Sequence, residues 1–129
     1  MSVSGSCLCG GVSFEISGEL PGGVACHCGQ CRKQSGHHWA SVHVPRDTFS
    51  LTSDSGLAWY AASDKARRGF CGTCGSMLFW DPSDEDALSV SLGALDTPSG
   101  ATLVKHIFTA DKGDYYEISD GVPQEMTPP

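Results

Sequence analysis

The sequence predicts a mainly β domain built from short strands, with few and short helices. Three observations carry that prediction. Apolar residues alternate with small or polar ones in several segments, the period-two pattern of strands half buried on a sheet. Turn-forming residues recur about every 8–12 positions, the spacing of all-β architectures. No window of about a dozen residues carries the apolar stripe of an amphipathic helix.

Taken in order, Val12, Phe14 and Ile16 alternate with small or polar residues and read as the first strand. Pro21-Gly22-Gly23 is a turn signal, and Val24-Ala25 ends a short strand that runs into Cys26. Residues 28–34 suit a helical turn or two. Ala40, Val42 and Val44 alternate again until Pro45 closes the strand. Phe49 and Leu51 read as strand, as do Leu57 and Trp59. A charged segment, Ser63 to Arg68, leads into Phe70. Leu78 and Trp80 alternate, and Leu88, Val90 and Leu92 form a strand between Asp84-Glu85-Asp86 and Gly93. Ile107 and Tyr116 mark further short strands near the C-terminus. The 129 residues suit one domain, 1–129, with a frayed tail expected at 125–129.

Hydrophobic residues make up 40% of the chain, enough for a core and too many for a disordered segment. Acidic residues outnumber basic ones 15 to 8, a formal net charge of −7. Such a surface repels a phosphate backbone, so neither nucleic acid nor an anionic membrane is expected as a partner. No apolar run approaches the length of a membrane span. Met1-Ser2-Val3-Ser4-Gly5-Ser6 has no basic start and no apolar stretch, so it does not read as a secretory signal. A cytoplasmic location, where thiols stay reduced, is expected.

Seven cysteines in that setting call for a purpose. An odd number suits a disulfide framework poorly. Four plus three suits zinc: one closed tetrahedral site, and one site with three protein ligands and an open position. Cys7-Leu8-Cys9-Gly10 and Cys71-Gly72-Thr73-Cys74-Gly75 together offer four thiolates. The two residues between Cys71 and Cys74 let both sulfurs face one metal. Alternatively these are buried free thiols, or Cys71 and Cys74 form a redox pair. Cys26-His27-Cys28-Gly29-Gln30-Cys31 brings three sulfurs to one side of a compact loop. His27 sits between two ligands, so its ring tends to point away, while His37 or His38 would complete a closed Cys3His site. Spacing alone also allows Cys7 and Cys9 to join Cys26 and Cys28, leaving Cys31, Cys71 and Cys74 as the trio. An open metal is a Lewis acid that polarises a carbonyl or deprotonates a bound thiol.

Taken together, these segments resemble the glutathione-dependent formaldehyde-activating enzyme family, also called the CENP-V/GFA family, of Mss4-like fold. The resemblance rests on residues 5–12, on Cys26 to Gly36 and on Lys65 to Gly75. It continues through His106-Ile107-Phe108 and Tyr116 to Gln124, and so covers nearly the whole chain. It implies folded-over β-sheets with a zinc knuckle and two zinc ions per chain. Cys7, Cys9, Cys71 and Cys74 take the structural zinc positions, and Cys26, Cys28 and Cys31 the catalytic ones. It further implies a carbon–sulfur lyase acting on a small-molecule thiol, glutathione, and an aldehyde, formaldehyde. A zinc-binding carrier, sensor or interaction module on the same fold is the alternative. One local departure is His37-His38-Trp39 after Gly36, where a small residue or proline and then Phe or Ala is expected.

Glutathione carries two carboxylates and one ammonium, so an acidic protein must offer it local cations. Arg32 and Lys33 beside the open site, and Lys65, Arg67 and Arg68 before the knuckle, are the candidates. His106 and Trp39 could line the site or lie in the core. No residue is placed by spacing as the general acid.

Overall fold

The computed structural model of the protein describes residues 1–127. Its strands run β1 (Ser2–Ser6), β2 (Val12–Ser17), β3 (Gly23–Cys26), β4 (Trp39–Pro45) and β5 (Phe49–Asp54). They continue as β6 (Leu57–Ala61), β7 (Ala66–Cys71), β8 (Met77–Pro82), β9 (Ala87–Ser91) and β10 (Leu103–Ile107). A single α-helix among the described residues, α1 (Gly29–Ser35), separates β3 from β4.

Two sheets result. The first has the order β1-β2-β5, and the second β10-β3-β4-β9-β8-β7-β6. Every pairing is antiparallel except that of β10 with β3. β5 and β6 are neighbours in sequence yet belong to different sheets. The chain folds over at the intervening turn, where Gly56 has φ 92°. Only glycine takes that left-handed conformation without a steric penalty.

The core lies between the sheets. Val12, Phe14 and Ile16 of β2 point inward, as their alternation requires, and meet Val42 and Val44 of β4, Leu78 and Phe79 of β8, and Val90 of β9. Phe14, Phe49 and Phe79 pack with ring centroids 5.3–5.6 Å apart. Full burial of a side chain of Phe size contributes roughly 1.5–3 kcal/mol, so this trio is a principal tie between the layers. Gly69 makes the close approach possible. A Cβ there would fall 2.9 Å from both Phe79 and Trp59.

Four details depart from the sequence reading. Residues Ser2–Ser6 form a strand that polarity hid, held by its register with β2 from Ser2↔Ser17 to Ser6↔Ser13. The charged segment becomes strand from Ala66 onward, because β6 and β8 flank it on both sides. Leu92 begins a 3-10 turn instead of ending a strand. Tyr116, read as strand, lies in irregular backbone, where Lys112 Nζ donates to its carbonyl at 2.5 Å and its hydroxyl is drawn to His27.

The frayed tail does not begin at Glu125. The Glu125 N–H donates to His106 O at 2.8 Å, and Glu125 O and Met126 O accept from Thr109 and Ala110. Pro128 and Pro129 of the expected tail lie outside the described residues. No helix among the described residues is long and apolar enough to cross a membrane.

Candidate metal centres

The fold sorts the cysteines into two groups. Cys7, Cys9, Cys71 and Cys74 form one, and Cys26, Cys28 and Cys31 the other, with the sulfurs of each group within 4.8 Å of one another. The alternative mixture of the two groups does not occur.

The four-cysteine group joins the sheets. Cys7 and Cys9 lie in the β1–β2 connection, and Cys71 and Cys74 at the β7–β8 connection. Cys7 Sγ is 3.6 Å from Cys9 Sγ, which is 3.7 Å from Cys71 Sγ. A tetrahedron with metal–sulfur bonds of about 2.3 Å has edges of about 3.8 Å, so the group fits a tetrahedral thiolate-bound ion. Backbone amides face the sulfurs: Val12 N–H donates to Cys7 Sγ at 3.3 Å and Cys74 N–H to Cys71 Sγ at 3.4 Å. Ser76, through its hydroxyl and its N–H, holds the Cys74 thiol down to about 5. Gly75, at φ 82°, ends the turn, and its N–H returns to Cys71 O at 2.7 Å.

The three-cysteine group starts from the same local device. Cys31 N–H donates to Cys28 Sγ at 3.4 Å, which makes Cys28 the N-cap of α1. Here Arg32, Lys33, Gln34 and Ser35 prolong the turn into a helix, until Gly36 at φ 86° closes it with an N–H to Arg32 O at 2.9 Å. Cys26 precedes the helix at the end of β3, paired with Trp39 on β4 and Ile107 on β10. The strands thus fix one sulfur and the helix the other two. Interaction with the Cys26 and Cys31 sulfurs drives the Cys28 thiol down to about 2, and the same contact with Cys28 pushes Cys26 far up. The three thiols therefore compete for negative charge, a competition that a bound divalent ion would relieve.

Among the described residues no imidazole joins this group. Both ring nitrogens of His27 are engaged, Nδ1 with Tyr116 Oη at 2.6 Å and Nε2 with His106 Nδ1 at 2.9 Å. Burial first, and then the neighbouring His38, hold His27 down to about 4, so its ring is neutral. His37 Nδ1 bonds to Tyr115 Oη at 2.6 Å, and His38 packs its ring 4.9 Å from that of His27.

The cationic candidates separate. Arg68 is 5% exposed and turns inward to Cys31. Its guanidinium also donates to Gln30 Oε1 at 3.3 Å and Gln34 Oε1 at 3.4 Å. Arg67, its neighbour on β7, faces the other side of the sheet, bonded to Asp81 at 2.8 Å and stacked 3.8 Å from the Trp59 ring centroid. Lys65 reaches Asp84 at 3.6 Å. Lys33 is exposed and, with Gln30, Gln34, Tyr60, Ala62 and Arg68, lines a cleft of about 350 Å³ that contains none of the three cysteines and meets their group through Arg68. Arg32 is half-buried, with Nε lacking a hydrogen-bond partner among the described residues. Trp39 is buried at the start of β4. Tyr116, His27, His106 and Asp120 form a network that sequence reading missed, because His27 lies 79 and 89 positions from its two partners and such distances leave no periodic signal.

A two-sheet β protein with two cysteine clusters able to hold metal ions is the class these features define. Comparison with known proteins makes the assignment specific. The chain belongs to the glutathione-dependent formaldehyde-activating enzyme family, whose model matches residues 2–111. It is 28% identical, over 92% of its length and 82% of the relative's, to a Halomonas elongata protein named for that same activity. It is 29% identical to an uncharacterized lyase of Schizosaccharomyces pombe, over 90% of this chain and 85% of that one. A crystal structure of a Rhodobacter sphaeroides protein shares the fold with a TM-score of 0.64 at 20% identity, covering 94% of this chain and 98% of the other.

Proposed function

We propose that the protein is a zinc-dependent carbon–sulfur lyase that joins glutathione, or a related thiol, to formaldehyde or another small aldehyde at the Cys26–Cys28–Cys31 group. The observation that carries this reading is the inequality of the two clusters. One supplies four sulfurs and the other three, with no imidazole or carboxylate beside them among the described residues. Four thiolates close a zinc shell, whereas three leave a position for substrate. A zinc ion bound there supplies Lewis acidity, which favours the thiolate form of an incoming thiol.

The chain's own residues do the rest. Cys26, Cys28 and Cys31 hold the ion on the rim of the second sheet. Arg68 sets a fixed positive charge against Cys31 and so offsets the excess negative charge of three thiolates. Lys33 and Arg68 line the adjoining cleft and suit the carboxylates of a glutathione-like thiol. In the net reaction the sulfur forms a bond to the carbonyl carbon, the C=O π bond breaks, and the thiol proton ends on the former carbonyl oxygen. Holding the two reactants together contributes proximity.

Exchange between glutathione and formaldehyde, followed by NMR with zinc-loaded protein and a Cys28→Ser control, tests the proposal. Exchange accelerated by the native protein and lost in Cys28→Ser is the expected result. An unchanged rate with protein carrying two zinc ions rejects this substrate pair.

A further inference from the structure

The loop carrying Cys26 and Cys28 is tied down by side chains that the chemistry above does not use. Tyr116 Oη lies 2.6 Å from His27 Nδ1, His27 Nε2 lies 2.9 Å from His106 Nδ1, and His106 Nε2 lies 2.8 Å from Asp120 Oδ2. His27 and His106 are 1% and 3% exposed, so water does not compete for the bond between the two rings. The Asp120 carboxylate only accepts, so His106 carries a proton on Nε2. One carboxylate at the surface thus anchors a continuous chain that runs through both rings to the tyrosine hydroxyl.

We propose that Tyr116, His106 and Asp120 are positioning residues that act through His27 to hold the Cys26–His27–Cys28 backbone in the conformation where three sulfurs converge. His27 lies between two of the sulfur donors, so its backbone torsions also set where those donors point. It is pinned at three points: both ring nitrogens, and its N–H to Ile107 O at 3.0 Å. Tyr116 and Asp120 lie beyond residue 111, where the family match ends. Among the described residues the four-cysteine group has no such side-chain relay. Its outer contacts are the N–H groups of Val12 and Cys74 and the Ser76 hydroxyl, which meets Leu8 N–H at 3.0 Å and Cys74 Sγ at 3.3 Å. One cluster is thus held through a chain of side chains and the other through its own turns.

That contrast makes the test internal. The inference rests on the reading that Cys26, Cys28 and Cys31 bind a metal. Zinc is withdrawn from the full chain by a chromophoric chelator, and the phase absent from Cys28→Ser is assigned to the three-cysteine group. Tyr116→Phe keeps the ring and removes the hydroxyl. It is expected to weaken that phase roughly tenfold, in the range for lost outer-shell hydrogen bonds, while the other phase and the thermal midpoint stay put. Asp120→Asn, at an exposed position, is expected to act in the same direction. Imidazole nitrogen NMR should show one His27 tautomer in the native protein and a mixture in this variant. Unchanged phases in Tyr116→Phe overturn the inference alone. Equal weakening of both phases with a lowered midpoint also overturns it, because the effect is then on overall stability. A native chain with a single phase overturns the metal reading and this inference with it.

Discussion

Arg68 Nη1 and Nη2 each lie 3.5 Å from Cys31 Sγ, so one guanidinium faces one sulfur through both of its terminal nitrogens. Its remaining partners are amide oxygens of Gln30 and Gln34, with no carboxylate among them. A buried cation without a counter-charge is costly, and Cys31 ionised within a metal-bound cluster would supply that counter-charge. Arg68→Met is therefore expected to weaken metal binding at the three-cysteine group about tenfold. Arg68→Lys should recover only part of the loss, since one ammonium cannot span the sulfur as a planar fork does. Chelator competition measures both.

The two clusters should fail differently when a ligand is removed. Cys71 is fully buried and its group joins the two sheets, so a metal held there would contribute folding energy. Cys71→Ser is expected to lower the thermal midpoint sharply and to make it insensitive to chelator. Cys28→Ser should keep most of the native midpoint and lose the activity. Thermal melts with and without chelator, run beside the exchange assay, compare them.

Backbone conformation provides a stability test at the turn where the sheets fold over. Gly10 and Gly56 both have positive φ, 81° and 92°. A Cβ at Gly10 meets nothing within 4 Å, whereas one at Gly56 falls 3.1 Å from Thr73 Oγ1 and 3.5 Å from Cys71 Sγ. Gly10→Ala should cost about 1–2 kcal/mol from the left-handed backbone alone. Gly56→Ala should cost more and also disturb the four-cysteine group. Urea denaturation of the two variants gives the difference.

Asp120 offers a pH test. Its carboxyl is held below the ordinary carboxylate value, first by the Val122 N–H at 3.0 Å and then by His106. A depressed acid contributes stability that is fully present above its unfolded pKa, about 3.9, and is lost as pH falls through the lower folded value. The Val122 amide resonance should therefore hold steady from neutral pH to about 4 and move below it. Asp120→Asn should abolish that movement.

Much of the candidate site was readable from local spacing. A C-x-x-C run forces its two sulfurs to one side whatever surrounds it, and the alternation in β2 and β4 gave their buried faces. What spacing could not give was partnership across distance. The 62-position separation of Cys9 and Cys71 leaves several groupings open, and the fold selects one. Tyr116 and His27 are 89 residues apart, and nothing in either neighbourhood announces the other. Arg67 and Arg68 looked equivalent as candidates. Strand alternation sends them to opposite faces, but only the packed sheets decide which one reaches the cysteines. β1 was missed because Ser-Val-Ser-Gly-Ser has no apolar rhythm, and its pairing with β2 replaces that signal.

The parallel pairing of β10 with β3 sets an order of completion during synthesis. Chains emerge from the ribosome N-terminus first. Every ligand of the four-cysteine group is available once residue 74 is out. Cys26 to Cys31 emerge far earlier, yet their loop must wait for Ile107 to pair with Cys26, and then for Tyr116 and Asp120. The nascent protein can thus bring the four-cysteine group together while its three-cysteine loop still lacks its supports.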